Sequence, residues 1–155
     1  MTTNQVTTET NISINYEQIE SLLSLRQSLN TYQQSKAHTN FLSFVKLMAP
    51  SLVADWEMGK HIKVISEKLQ QIQDGDLKRL MVFLPPRSSK SVICSKLFPA
   101  WYIGQNPNHE ILTVSHSDQL SSDFGRSVRD LVNSETFQEI FTNVKLRQDV
   151  RAAGK

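Results

Sequence analysis

At 155 residues the chain is long enough for one modest domain with a buried core, and 39% hydrophobic against 21% charged residues excludes a disordered or fibrous class. A net charge of +2 is too small to point to nucleic acid by itself, and Cys94, the only cysteine, excludes an intrachain disulfide and fits a reducing cytosol. No apolar run reaches the ~20 residues of a membrane span, and the N-terminus lacks the basic-then-apolar order of a secretory signal.

Residues 1–14 are rich in Thr and Asn with little to bury and read as a disordered tail. A peripheral amphipathic helix is expected within 15–38. From Tyr16 to about Gln34, Ile19, Leu22, Leu23, Arg26 and Leu29 fall on one stripe, with polar residues opposite. Such a helix covers either its own core or a partner, and the former is the commoner role. The polar stretch Ser35 to Asn40 marks a break before the main domain, 41–155. Phe41 to Met48 predicts a short helix stopped by Pro50, and Trp56, His61, Ile62, Ile65, Leu69 and Ile72 line a second that ends near Gly75.

The densest chemistry lies between Arg79 and Ser91. Leu80 to Leu84 is an apolar run of strand length, ended by Pro85 and Pro86. A polar loop, Arg87-Ser88-Ser89, leads to Lys90-Ser91 and then to a segment of helical character from Val92. Strand, loop, Lys-Ser and helix is the layout of a nucleotide-binding P-loop. Backbone N–H groups of such a loop and of the helix start wrap phosphate oxygens, aided by the helix dipole. Here Pro86, Arg87, Ser88, Ser89, Lys90 and Ser91 would form the cradle for ATP. Lys90 would reach the β- and γ-phosphates, and the Ser91 hydroxyl would bind Mg²⁺.

The usual pattern carries two glycines, and Leu84 and Ser89 stand in their places. At the second, a loop curled round phosphate often needs a positive φ or a very close backbone approach, and a left-handed conformation would cost a serine roughly 1 kcal/mol. By itself, Ser-Ser-Lys-Ser fits an ordinary polar turn equally well. In many ATPases of this general type an aromatic or polar group just upstream contacts adenine, which singles out Trp56 and His61; ordinary packing is the plainer role for each.

Past the loop, Val92, Ile93, Leu97 and Trp101 share a helical face that Pro99 is expected to bend or end, and Cys94 reads as a small buried residue. Gly104 to Asn108 is a loop, and Ile111 to Val114 predicts a second strand. The expected fold is therefore α/β: a partial parallel sheet of P-loop NTPase type, flanked by helices and preceded by N-terminal helices, with a right-handed βαβ unit. Ser117 to Leu131 predicts a helix with Leu120, Phe124, Val128, Leu131 and Val132 on its apolar side and Arg126 and Arg129 elsewhere. Ser134 to Phe141 reads as a short helix and Val144 to Arg147 as a possible strand. Lys145, Arg147, Arg151 and Lys155 could touch DNA phosphates, although a solvated chain end is the plainer account.

The run Leu80-Met81-Val82-Phe83-Leu84-Pro85-Pro86-Arg87-Ser88-Ser89-Lys90-Ser91, followed by Lys96 to Gly104 (Lys-Leu-Phe-Pro-Ala-Trp-Tyr-Ile-Gly) and Asn106-Pro107, resembles the large terminase subunit of tailed bacteriophages. The likeness extends from Phe41-Leu42-Ser43-Phe44-Val45 and Trp56 through Ile111 to Ser117 and Leu120 to Arg126, ending at Lys145-Leu146-Arg147. It implies part of an ATP-driven motor that packs viral double-stranded DNA into preformed capsids. The implied partners are a small terminase subunit, the portal of the procapsid and further copies in a homo-oligomeric ring, in the cytoplasm of a bacterial host. Arg126, with Arg129 second, matches an arginine that reaches a neighbouring subunit's nucleotide, and Arg87 is a candidate acting on its own subunit's phosphates. A solvated arginine or a simple phosphate contact remains the alternative for each.

The family also needs an acidic strand that holds Mg²⁺ and activates water. No apolar run here ends in paired carboxylates, and the resemblance places that strand and the nuclease domain downstream of Lys155. The chain thus reads as the front part of the ATPase domain, and whether it is itself an enzyme stays open. The alternatives are a non-catalytic interaction module docking on terminase or portal components, and another P-loop DNA-dependent ATPase.

Overall fold

The computed structural model describes residues 16–146, so the tail expected at 1–14 and Arg147, Arg151 and Lys155 lie outside the described residues. The chain divides into two units, Met1–Thr31 and Tyr32–Lys155. Helix α1, Tyr16–Thr39, runs through the boundary. In the first unit its apolar residues Leu22, Leu23, Leu25 and Leu29 are all more than half exposed. Leu25 departs from the expected stripe, and the hydroxyls of Ser24 and Ser28 donate back to carbonyls three or four residues earlier.

The second unit is built from the end of α1 and six further helices. These are α2 (Phe41–Met48), α3 (Lys60–Gln73), α4 (Lys90–Val92), α5 (Phe98–Gln105), α6 (Asp118–Val132) and α7 (Glu135–Ile140). Local chemistry sets their starts. Asn40 accepts the Ser43 amide and caps α2, Ser117 accepts the Leu120 amide at α6, and Ser134 accepts the Phe137 amide at α7. The free Phe41 amide at the head of α2 donates to the Gln70 side chain at 2.8 Å, tying α2 to α3. Gly75, at φ 84°, ends α3 in the left-handed conformation that glycine adopts without a Cβ penalty.

Aromatic rings fill the core. Phe41 packs 5.3 Å from Trp101, Phe44 meets Phe137 edge-on at 6.2 Å, and Phe137 lies 4.9 Å from Phe141. The buried Trp101 indole donates to the Ala37 carbonyl at 3.0 Å, so its one polar atom is satisfied. Gly104 lets α5 approach Phe141 closely: a Cβ there would stand 2.7 Å from the ring.

The expected α/β fold is not what the chain adopts. Among the described residues there is no β-strand, and both Leu80 to Leu84 and Ile111 to Val114 are irregular chain. The alternation is real but serves another purpose. Leu80, Val82 and Leu84 pack on the helical core while Met81 and Phe83 are about four-fifths exposed. A strand exists only through ladder hydrogen bonds to a neighbour, and period-two burial can arise without them. Leu112 and Val114, also more than four-fifths exposed, make no ladder either. The described part of the third expected strand, Val144 to Leu146, is likewise irregular. A parallel sheet and a βαβ unit are therefore corrected to a helical architecture.

Pro99 neither ends nor breaks its helix. Helical backbone continues from Lys90 to Gln105 because a π-helical turn, Ile93–Leu97, separates α4 from α5. Phe98 donates to the carbonyl of Ile93, five residues back, and this wider turn makes room for the proline ring in the first turn of α5.

Candidate functional site

The polar stretch between the prolines and α4 folds into a concave loop. Leu84 to Val92 line a cavity of about 340 Å³. The Ser88 hydroxyl donates to the Pro85 carbonyl at 2.8 Å and closes the turn after the prolines. Arg87 at φ 63° and Ser89 at φ 59° are the two described non-glycine residues in the left-handed region. Each costs about 1–2 kcal/mol relative to an ordinary conformation. Ser89, with ψ 12°, passes directly into the right-handed backbone of Lys90. Alternating handedness turns successive N–H groups toward a common side, the geometry of an anion-binding nest.

The site's charge is positive and uncompensated. Its lining includes Arg87 and Lys90 and no carboxylate, and neither cation has an ion-pair partner among the described residues. Lys90 is half-buried at the head of α4, and Ser91 follows it on the cavity wall. Cys94 lies on the next turn; burial raises its thiol pKa above the ordinary value, while the Lys90 charge pulls the other way. The thiol therefore stays protonated near neutral pH.

Two side chains upstream behave differently. Trp56 packs partly buried against the core, its indole N–H buried without a partner, and it does not line the loop cavity. His61, the second residue of α3, places Nε2 3.3 Å from the Ser88 carbonyl. A carbonyl only accepts, so Nε2 carries the proton in this contact. The imidazole reaches the loop by folding over Gly59, where a Cβ would stand 2.5 Å from one ring carbon and 2.7 Å from Nδ1. The sequence signal for this contact, a glycine two residues before a histidine at a helix start, is too short to read alone.

The structure brings Pro86, Arg87, Ser88, Ser89, Lys90 and Ser91 together round one cavity and leaves Arg126 elsewhere. Arg126, more than half exposed on α6, pairs with Asp123 at 3.2 Å and lines a separate cavity with Arg129 and Lys145. Arg129 is 3.7 Å from Asp130. No group of three or more metal-ligating side chains occurs among the described residues. Nor is any described helix long and apolar enough to cross a membrane.

The arrangement fits the phosphate tail of a nucleotide with its magnesium ion: a concave loop of turned amides, two unpaired cations and a serine beside the lysine. It offers no lining group to activate water. Comparison of the chain with protein-family models, with curated proteins and with solved structures found no match.

Proposed function

We propose that residues 84–91 bind the phosphates of Mg-ATP, and that the chain is a nucleotide-binding part of a viral DNA-packaging motor of the terminase large-subunit kind. The observation that carries the phosphate reading is Ser89. It stands where a phosphate loop commonly has glycine, and it holds the left-handed conformation such a loop often needs there, at a cost of about 1–2 kcal/mol. On this reading Lys90 offsets phosphate charge, Ser91 holds Mg²⁺, the loop amides of Ser88 and Ser89 donate to phosphate oxygens, and Arg87 adds a second cation. Bound magnesium supplies charge neutralisation across the phosphates.

The motor reading rests on the resemblance through the Pro-Pro-Arg loop and the Phe-Pro-Ala-Trp-Tyr helix. Its partners are then double-stranded DNA, a small terminase subunit, the portal and other copies of the chain, in the host cytoplasm. Arg126, paired with Asp123 on α6 and absent from the lining of its own loop cavity, would act on a neighbouring copy's nucleotide. With no carboxylate lining that cavity, this polypeptide alone binds ATP and hydrolyses it poorly.

Titration with fluorescent Mg-ATP beside Lys90→Ala tests the reading. Saturable binding lost in the variant is expected, with no steady release of phosphate. Equal binding by both proteins refutes the loop assignment, and Lys90-dependent turnover refutes the limit on hydrolysis.

A second reading, a non-catalytic interaction module, is favoured by one observation: the exposed leucines of α1. Capture of a terminase or portal component, unchanged by Lys90→Ala and lost on Leu22→Ser/Leu29→Ser, would select it.

A further inference from the structure

We propose that His61 is a positioning residue that clamps the 84–92 loop through the Ser88 carbonyl, and that Gly59 exists to give its imidazole room. The inference rests on reading that loop as the phosphate site. The loop holds two left-handed residues, Arg87 and Ser89, on either side of Ser88, so it requires restraint from outside itself. One restraint is internal, the Ser88 hydroxyl on the Pro85 carbonyl. The other comes from a separate element. His61 Nε2–H reaches the Ser88 carbonyl from the first turn of α3, across 27 residues of chain. Ser88 is therefore held at both its hydroxyl and its carbonyl. With its carbonyl drawn toward α3, the amides that follow at Ser89 and Lys90 keep their orientation toward the cavity.

Gly59 is needed for a steric reason only. Its φ of −74° suits any residue, so backbone freedom does not explain a glycine there. What a side chain would meet is the His61 ring itself, at 2.5 and 2.7 Å. A methyl group at 59 must swing the ring away, and a swung ring releases Ser88. Gly59 and His61 thus form one device.

Trypsin reads the device without nucleotide, because the bond after Arg87 lies in the exposed part of the loop. In His61→Ala, cleavage between Arg87 and Ser88 is expected to quicken roughly two- to tenfold, the factor one hydrogen bond is worth, with a matching loss of fluorescent Mg-ATP affinity. Cleavage within α3 and α6, at Lys68 and Arg129, should not change, which separates loop release from unfolding. Gly59→Ala should reproduce the effect with the imidazole still present, and His61→Gln, which keeps a donor near the Nε2 position, should restore most of the wild-type rate. The double variant Gly59→Ala/His61→Ala should be cut no faster than His61→Ala alone, because both changes remove the same contact. Unchanged cleavage in His61→Ala, or effects of the two substitutions that multiply, overturns the clamp. A clamp detected by cleavage in a protein that shows no Lys90-dependent Mg-ATP binding keeps the device and refutes the phosphate reading instead.

Discussion

The aromatic core round Trp101 and the loop round Ser89 follow opposite rules within the same unit. In the core, Trp101, Phe41, Phe44 and Phe137 are fully enclosed, and the Trp101 indole N–H is paired. In the loop, two non-glycine residues hold left-handed backbone and two cations stand without partners among the described residues. The contrast separates the parts of the unit that generate stability from the part that consumes it. Strain at the loop persists because the helices beside it are well packed, a division typical of ligand-binding segments.

The largest expected effect falls on the core. Trp101→Ala removes a wholly buried ring and strands the Ala37 carbonyl, and should cost about 3–5 kcal/mol in a denaturant titration. A cost below about 1 kcal/mol would show that the aromatic cluster does not hold the unit together.

Glycine substitutions sharpen the comparison because their sign should reverse between the two regions. Ala100→Gly, in the buried interior of α5, should destabilise by about 1 kcal/mol or more through lost helix propensity and a lost methyl. Ser89→Gly relieves the left-handed penalty and should stabilise by up to about 1 kcal/mol. Destabilisation in both would mean that the loop backbone is not strained at Ser89.

The smallest effect concerns the boundary between the regions. Burial raises the Cys94 pKa and the Lys90 charge opposes that rise, so Lys90→Ala should lift the thiol pKa further and slow alkylation by iodoacetamide at alkaline pH. The sign also sets a pH dependence. As pH rises through the ordinary value of 9.0, the unfolded chain releases a proton that the folded chain keeps, so this group's stabilising contribution falls there. Faster alkylation in the variant would mean that the lysine charge does not reach the thiol.

What could be read beforehand follows the same division. Helical periodicity located α2, α3 and α6, and the caps at Asn40 for α2, Ser117 for α6 and Ser134 for α7 are local signals. The place of Ser89 in the phosphate-loop pattern left a positive φ and a close backbone approach both open, and the chain takes the first. The strands failed for a physical reason: Leu80, Val82 and Leu84 show the burial alternation of a strand, but pairing depends on a neighbour that no local pattern specifies. Pro99 misled in a similar way, because a π turn absorbs it without leaving a mark in the residues around it. The contact between His61 and Ser88 joins positions 27 apart and depends on the missing Cβ of Gly59, which periodicity does not register.

The central claim is that the strained loop recognises phosphate rather than base. Its most direct test is competition against bound fluorescent Mg-ATP by inorganic tripolyphosphate with magnesium, and separately by adenosine. Displacement by tripolyphosphate, little displacement by adenosine, and no such site in Lys90→Ala are the results expected. Displacement by adenosine with none by tripolyphosphate would contradict the account and move the binding surface away from the loop.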